Sequence, residues 1–122
     1  MIYRNIAIYK LIMGVTKSEI FSPLQNKLAN LARVLGHPAR VAILQQIMKS
    51  ESCICGDLVT EIGLAQPTIS QHLKELKSIG LIKGNIEGVR VCYCIDQENW
   101  KEMKEMLLQF FDQNPNVNNE CC

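Results

Sequence analysis

Six cysteines stand in three close pairs along the 122 residues, Cys53-Ile-Cys55, Cys92-Tyr-Cys94 and Cys121-Cys122. With no recognisable secretion signal, the expected compartment is the reducing cytoplasm, where disulfides are unusual and clustered thiols bind metal or react with oxidants. Cys53 and Cys55 fall just before or within the first turn of a helix, where the helix dipole favours thiolate, the form that ligates soft ions and attacks electrophiles. Cys92 and Cys94 read as one face of a strand, because residues i and i+2 point the same way. They could form a second soft-metal or redox pair, but one face of such a strand must pack on the body, and core filling is the preferred reading. Cys121 and Cys122 end the chain and have no core to fill. His37 precedes a helix-opening proline and His72 sits beside an apolar stripe, so both are read as hydrogen-bonding residues rather than metal ligands. Nothing suggests a catalytic triad, a glycine-rich phosphate loop or a Cys-x-x-Cys zinc ribbon, and no enzyme is expected.

The elements that must carry these thiols are two short helices and a ribbon. From Gly56 the chain places Leu58, Val59 and Ile62 on one helical side and stops at Gly63. A second helix opens at once, with Gln66 ahead of Pro67 at a position that suits a fixed φ and a missing donor. Ile69, Leu73 and Leu76 then recur as a buried stripe, leaving Thr68, Ser70, Gln71 and Lys74 on the polar side. Two β-rich runs follow around an Asn/Glu/Gly turn, residues 81–95, and read as a hairpin. Helix, tight turn, helix and hairpin make a winged helix-turn-helix, a unit whose second helix enters the major groove of DNA. The same hairpin of helices with a merely solvated polar side is the plainer alternative.

The residues Leu64-Ala-Gln-Pro-Thr-Ile-Ser-Gln-His-Leu-Lys-Glu-Leu76, then Gly80-Leu-Ile82 and Gly88-Val-Arg90, resemble the ArsR/SmtB family of small bacterial metal- and thiol-responsive repressors. Leu35-Gly-His-Pro-Ala-Arg-Val-Ala-Ile-Leu44 looks like that family's second-helix opening, and the similarity runs over residues 28–111. The resemblance implies a homodimeric repressor that needs no cofactor to bind its double-stranded operator. Thr68, Ser70, Gln71 and Lys74 are then expected in the major groove, Gln66 near the backbone, and Lys83 and Arg90 of the wing at phosphates or the minor groove. It also implies that Cys53 and Cys55 form part of an inducer site for soft ions such as trivalent arsenic or antimony, cadmium or lead. One departure stands out: Gly56 follows Cys55 and position 59 is Val, so the third cysteine that some members place a turn further on is missing. Trivalent arsenic wants a third sulfur, for which Cys121 and Cys122 on the tail are the expected donors. A rival reading keeps the DNA-binding fold and replaces the ion with persulfide, peroxide or disulfide chemistry; a thiol enzyme or metal-storage module is the remoter one.

Composition sets the frame. At 122 residues and 48% hydrophobic the chain builds one core, read as a mainly α domain with a small β-wing (α+β): about five helices and a two-stranded antiparallel hairpin. The net charge of +1 does not by itself mark a nucleic-acid protein. By region, residues 1–50 carry seven Lys/Arg against one acid, 51–95 four against five, and 96–122 two against six. Residues 1–21 are a lead-in whose apolar start is broken by Arg4 and Lys10, too short to span a bilayer and without a signal-peptide cleavage site; Met13 reads as a natural start. Residues 22–113 are the DNA-binding and dimerisation domain, with Ser22-Pro23 opening a helix through Leu35, Gly36-His37-Pro38 opening the next to about Lys49, and Asp96 or Gln97 capping the last. That last helix carries Trp100, Met103, Met106, Leu107, Phe110 and Phe111, expected with Leu28 and Leu31 of the first helix to form a dimer seam. It has Glu98, Glu102, Glu105 and Asp112 but no histidine, so the zinc or nickel ligand set of other members is not evident. Residues 114–122 are an Asn-rich, cysteine-terminated tail expected to be flexible.

Overall fold

Three helix starts in this protein are fixed by a side-chain cap. In the computed structural model, which describes residues 17–51, 53–56, 58–87 and 90–114, a single 3-10 turn at Lys17–Ile20 leads into helix α1, Pro23–Leu35. Ser22 caps it reciprocally: its hydroxyl accepts from the Gln25 N–H at 3.1 Å while its own N–H donates to Gln25 Oε1 at 2.9 Å, a capping box that satisfies two orphan donors. His37 caps α2, Pro38–Lys49, through Nδ1, which accepts from the Ala39 N–H at 3.1 Å. Asp96 caps the last helix, α5, Gln97–Phe111, by accepting from Asn99. Between them come α3, Leu58–Ile62, and α4, Gln66–Ser78.

Five helices and an antiparallel sheet match the expected winged helix-turn-helix, but the sheet has three strands rather than two. β2, Ile82–Glu87, and β3, Arg90–Ile95, form the expected hairpin in a register that runs from Ile82 opposite Ile95 to Glu87 opposite Arg90. β1, Cys53–Ile54, adds to the other edge of β3, giving the order β1-β3-β2. The physical reason is the free edge of β3, whose backbone groups need partners, and an extended apolar Cys-Ile-Cys within reach of it.

The core lies between α1, α2, α4 and the sheet. Leu31 and Val34 of α1, Ile43 and Ile47 of α2, and Ile69 and Leu76 of α4 are each at most 1% exposed. At ~25 cal/mol per Å2 of apolar area this burial is the main stabilising term. Ion pairs do less: Arg33 reaches Glu75 at 3.3 Å and Lys27 pairs with Glu102 on the surface, each worth ~0–1 kcal/mol. Among the described residues no helix is long and apolar enough to cross a membrane.

Candidate DNA-reading surface and cysteine cluster

Helix α4 divides cleanly into two faces. Ile69, His72, Leu73 and Leu76 are buried, whereas Gln66, Thr68, Ser70, Gln71 and Lys74 are exposed together on the other side. Gln66 and Ser70 are linked by a side-chain hydrogen bond of 3.1 Å. The helix starts at an extended Ala65 that makes no side-chain cap, and Pro67 in its first turn has no N–H, so few donors there lack a helical partner, and an anion such as phosphate could take them.

The buried side of α4 is held by a polar group. Arg40 Nε of α2 donates to His72 Nδ1 at 3.1 Å, and Arg40 Nη1 donates to the Val34 carbonyl at 3.3 Å. The His37 and His72 rings lie 4.3 Å apart. Burial first, then the His37 and Arg40 charges, lower the His72 pKa, with Glu75 opposing. Both histidines therefore take the hydrogen-bonding roles expected of them.

The cysteines are placed differently from the expectation. Cys53 lies on β1 and Cys55 just after it, not in a helical turn; Gly56, at φ 97°, turns the chain toward α3, which starts only at Leu58. The helix-dipole argument for their thiolates is thus withdrawn, since an extended strand carries no such dipole. Cys53 sits directly opposite Cys94 in the β1–β3 register, and the structure bridges Cys53 to Cys94 and Cys55 to Cys92.

The core-filling reading of Cys92 and Cys94 holds in their burial, though not on the face of the main apolar cluster. They are buried, at 0% and 5% exposure, but the sheet face that packs on the core carries Ile54, Tyr93, Ile82 and Ile95. Alternation puts the cysteines on the opposite face. Direct cross-strand partners share that face: Lys83 stands opposite Cys94 and Asn85 opposite Cys92. Asn85 Nδ2 lies 3.5 Å from the Cys94 sulfur. An amide donor thus borders the Cys94 sulfur.

Sequence reasoning missed this grouping of four. The signal was the equal i, i+2 spacing of the two Cys-x-Cys segments, which fits two facing strands. Cys121 and Cys122 lie outside the described residues, as does the lead-in before residue 17; Arg90 heads β3. Of the expected dimer seam, Leu31 and Met103 are already closed inside the protomer, at 1% and 8%, because α1 and α5 pack on each other. With Trp100, Leu107 and Leu108 they line an apolar hollow of about 410 Å3. Leu28, Trp100, Met106 and Leu107 are half-buried, while Phe110 is half exposed beside the more exposed Leu24, Leu108 and Phe111.

Four similarities, one to a family profile and three to known proteins, bear on this geometry. The profile described as "Bacterial regulatory protein, arsR family" matches residues 37–83. The transcriptional repressor SmtB of Mycobacterium tuberculosis is 41% identical over 63 residues, 52% of this chain and 46% of that protein, so the chain spans about half the length of that relative. An HTH-type transcriptional regulator of Methanocaldococcus jannaschii is 34% identical over 82 residues, 66% of this chain and 91% of that one. In fold, the homodimeric winged helix-turn-helix DNA-binding domain solved from Mycobacterium bovis superposes with a TM-score of 0.58 at 20% identity, over 88% of this chain and 98% of that one.

Proposed function

Because the chain belongs to the arsR family of bacterial regulatory proteins, we propose that it is a homodimeric, cytoplasmic transcriptional repressor that reads an operator with α4 and the wing. On this reading it lets go when a trivalent thiophilic ion, arsenic or antimony, is chelated at Cys53, Cys55 and a wing cysteine. Gln71 can pair bidentately with adenine, Thr68, Ser70 and Lys74 flank it, Gln66 and the uncapped start of α4 meet the backbone, and Lys83 and Arg90 meet phosphates from the wing.

The observation that supports the inducer's part is the β1–β3 register, which sets Cys94 opposite Cys53 and offers a wing cysteine in place of the tail sulfur that the sequence suggested. Soft trivalent ions prefer thiolate over any oxygen donor nearby. In the reduced protein two of the three sulfurs face each other across the strands, but the third lies two residues along, ~6.6 Å at the usual strand rise. Gathering all three on one ion requires β1 and β3 to buckle. β1 leads through the Gly56 turn into α3, and Lys83 is the cross-strand neighbour of Cys94, so both halves of the reading surface are disturbed.

The test uses reduced protein on an operator fragment selected from a random-sequence pool, followed by fluorescence anisotropy as arsenite is added. Release is expected at 5–150-fold weakened affinity, matching coupling of ~1–3 kcal/mol between sites. Cys53→Ser with Cys55→Ser is expected to bind DNA normally and ignore arsenite, and Cys121→Ser with Cys122→Ser to respond like the wild type. Release of the Cys53/Cys55 variant at the wild-type dose removes the site assignment.

A further inference from the structure

Two bridges already link the four sulfurs from which chelation would draw its three. We propose that these bridges are a redox gate on the sensor: a hydroperoxide closes Cys53–Cys94 and Cys55–Cys92, leaving a repressor that keeps its operator but no longer hears the ion. The gate rests on the arsenite-sensing reading above, and concerns the regulation of that same site.

The bridged protein keeps the winged helix-turn-helix arrangement, with the polar face of α4 exposed. The Cα atoms of the two pairs are 4.4 and 4.2 Å apart, the spacing of close, non-hydrogen-bonded pairs in an antiparallel ladder, and Cys53 and Cys94 are register partners in the sheet itself. A bridge therefore fixes the arrangement in which α3, α4 and the wing already stand. Chelation differs because it must join sulfurs from both pairs along the strand. Once each sulfur is bonded to the one opposite, no thiolate of the cluster is left for an ion, and the buckling that releases DNA cannot begin.

The chemistry balances with a hydroperoxide as oxidant. Cys53 and Cys55 are the half-buried members and Cys92 and Cys94 the buried ones, so the β1 thiolates meet the oxidant first. A β1 thiolate attacks the terminal peroxide oxygen, the O–O bond breaks, the alkoxide leaves as alcohol after taking a proton, and the cysteine becomes a sulfenic acid. The opposing wing thiol attacks that sulfur, forms the S–S bond and expels water. Per bridge, two thiols and one hydroperoxide give one disulfide, one alcohol and one water. Two such turns close the cluster.

The test treats the full chain with tert-butyl hydroperoxide, removes the oxidant, maps the bridges by mass spectrometry of peptides, and titrates operator and then arsenite. Expected are Cys53–Cys94 and Cys55–Cys92 links, operator affinity within about twofold of the reduced protein, and no release by arsenite until a phosphine restores the thiols. Three outcomes overturn the gate alone: bridges within a segment, such as Cys53 to Cys55; loss of operator on oxidation; or arsenite release by the oxidised protein at the reduced protein's dose. Failure of the reduced protein to respond to arsenite instead removes the sensor, and the gate with it.

Discussion

His72 shows at the scale of one residue how α4 is tied to the body. Its Nδ1 accepts from Arg40, which requires a neutral ring, and burial with the His37 and Arg40 charges lowers its pKa below the ordinary 6.5 against the pull of Glu75. A folded-state pKa below the unfolded value means that the unfolded chain takes up the proton first. The stabilisation is therefore complete above about pH 6.5 and is lost as pH falls from there through the lower folded value. Chemical denaturation at stepped pH is expected to show stability falling on acidification below 6.5, with the slope reduced in His72→Gln; equal slopes in both proteins would contradict it. On the exposed side, Gln71→Ala removes a side chain able to read adenine and is expected to cost ~1–3 kcal/mol of operator binding while the thermal midpoint stays put. An unchanged footprint would move the reading surface elsewhere.

Elements differed in how far the sequence disclosed them. The helices were legible because their caps and stripes are local: Ser22 with Pro23, His37 with Pro38, Gln66 with Pro67, Asp96. The polar face of α4 was legible for the same reason, since the period of α4 sorts its side chains without knowledge of anything else. β1 was not, because two residues carry no period and its partner lies 41 positions away in sequence; with it went the true neighbours of Cys53 and Cys55, as connectivity among six cysteines is not set by spacing. Gly80 gives a test at this scale. It follows α4 at φ 81°, and a Cβ there would stand 2.6 Å from Asn99 Nδ2, the residue whose N–H donates to the α5 cap. Gly80→Ala is expected to lower stability by at least the ~1–2 kcal/mol of a left-handed L-residue, read from urea midpoints; a change below a few tenths would mean that the α4–β2 turn is not constrained as described.

The whole molecule leaves apolar side chains of α1 and α5 exposed: Leu24, Leu108, Phe110 and Phe111 are at least half exposed, and Leu108 lines the apolar hollow. In the proposed dimer this is the seam, moved outward from the Leu31 and Met103 that the sequence suggested. Phe110→Ala is expected to weaken dimerisation, since burying a phenylalanine side chain is worth ~1.5–3 kcal/mol, with sedimentation velocity following the monomer fraction; identical profiles for variant and wild type would place the seam elsewhere. A two-fold dimer also carries two cysteine clusters, and two sites fit the energetics, because ~5.5 kcal/mol is needed to take a switch from 1:99 to 99:1 and one site supplies ~1–3. Everything in this account turns on whether β1 and the wing hold one ion together. Arsenic X-ray absorption on the reduced, arsenite-loaded Cys121→Ser, Cys122→Ser protein measures that directly. Three sulfur neighbours around arsenic, falling to two sulfurs and an oxygen when Cys92 and Cys94 are also replaced by Ser, is the predicted result; a full three-sulfur shell that survives the loss of Cys94 and Cys92, or none without the tail, would contradict it.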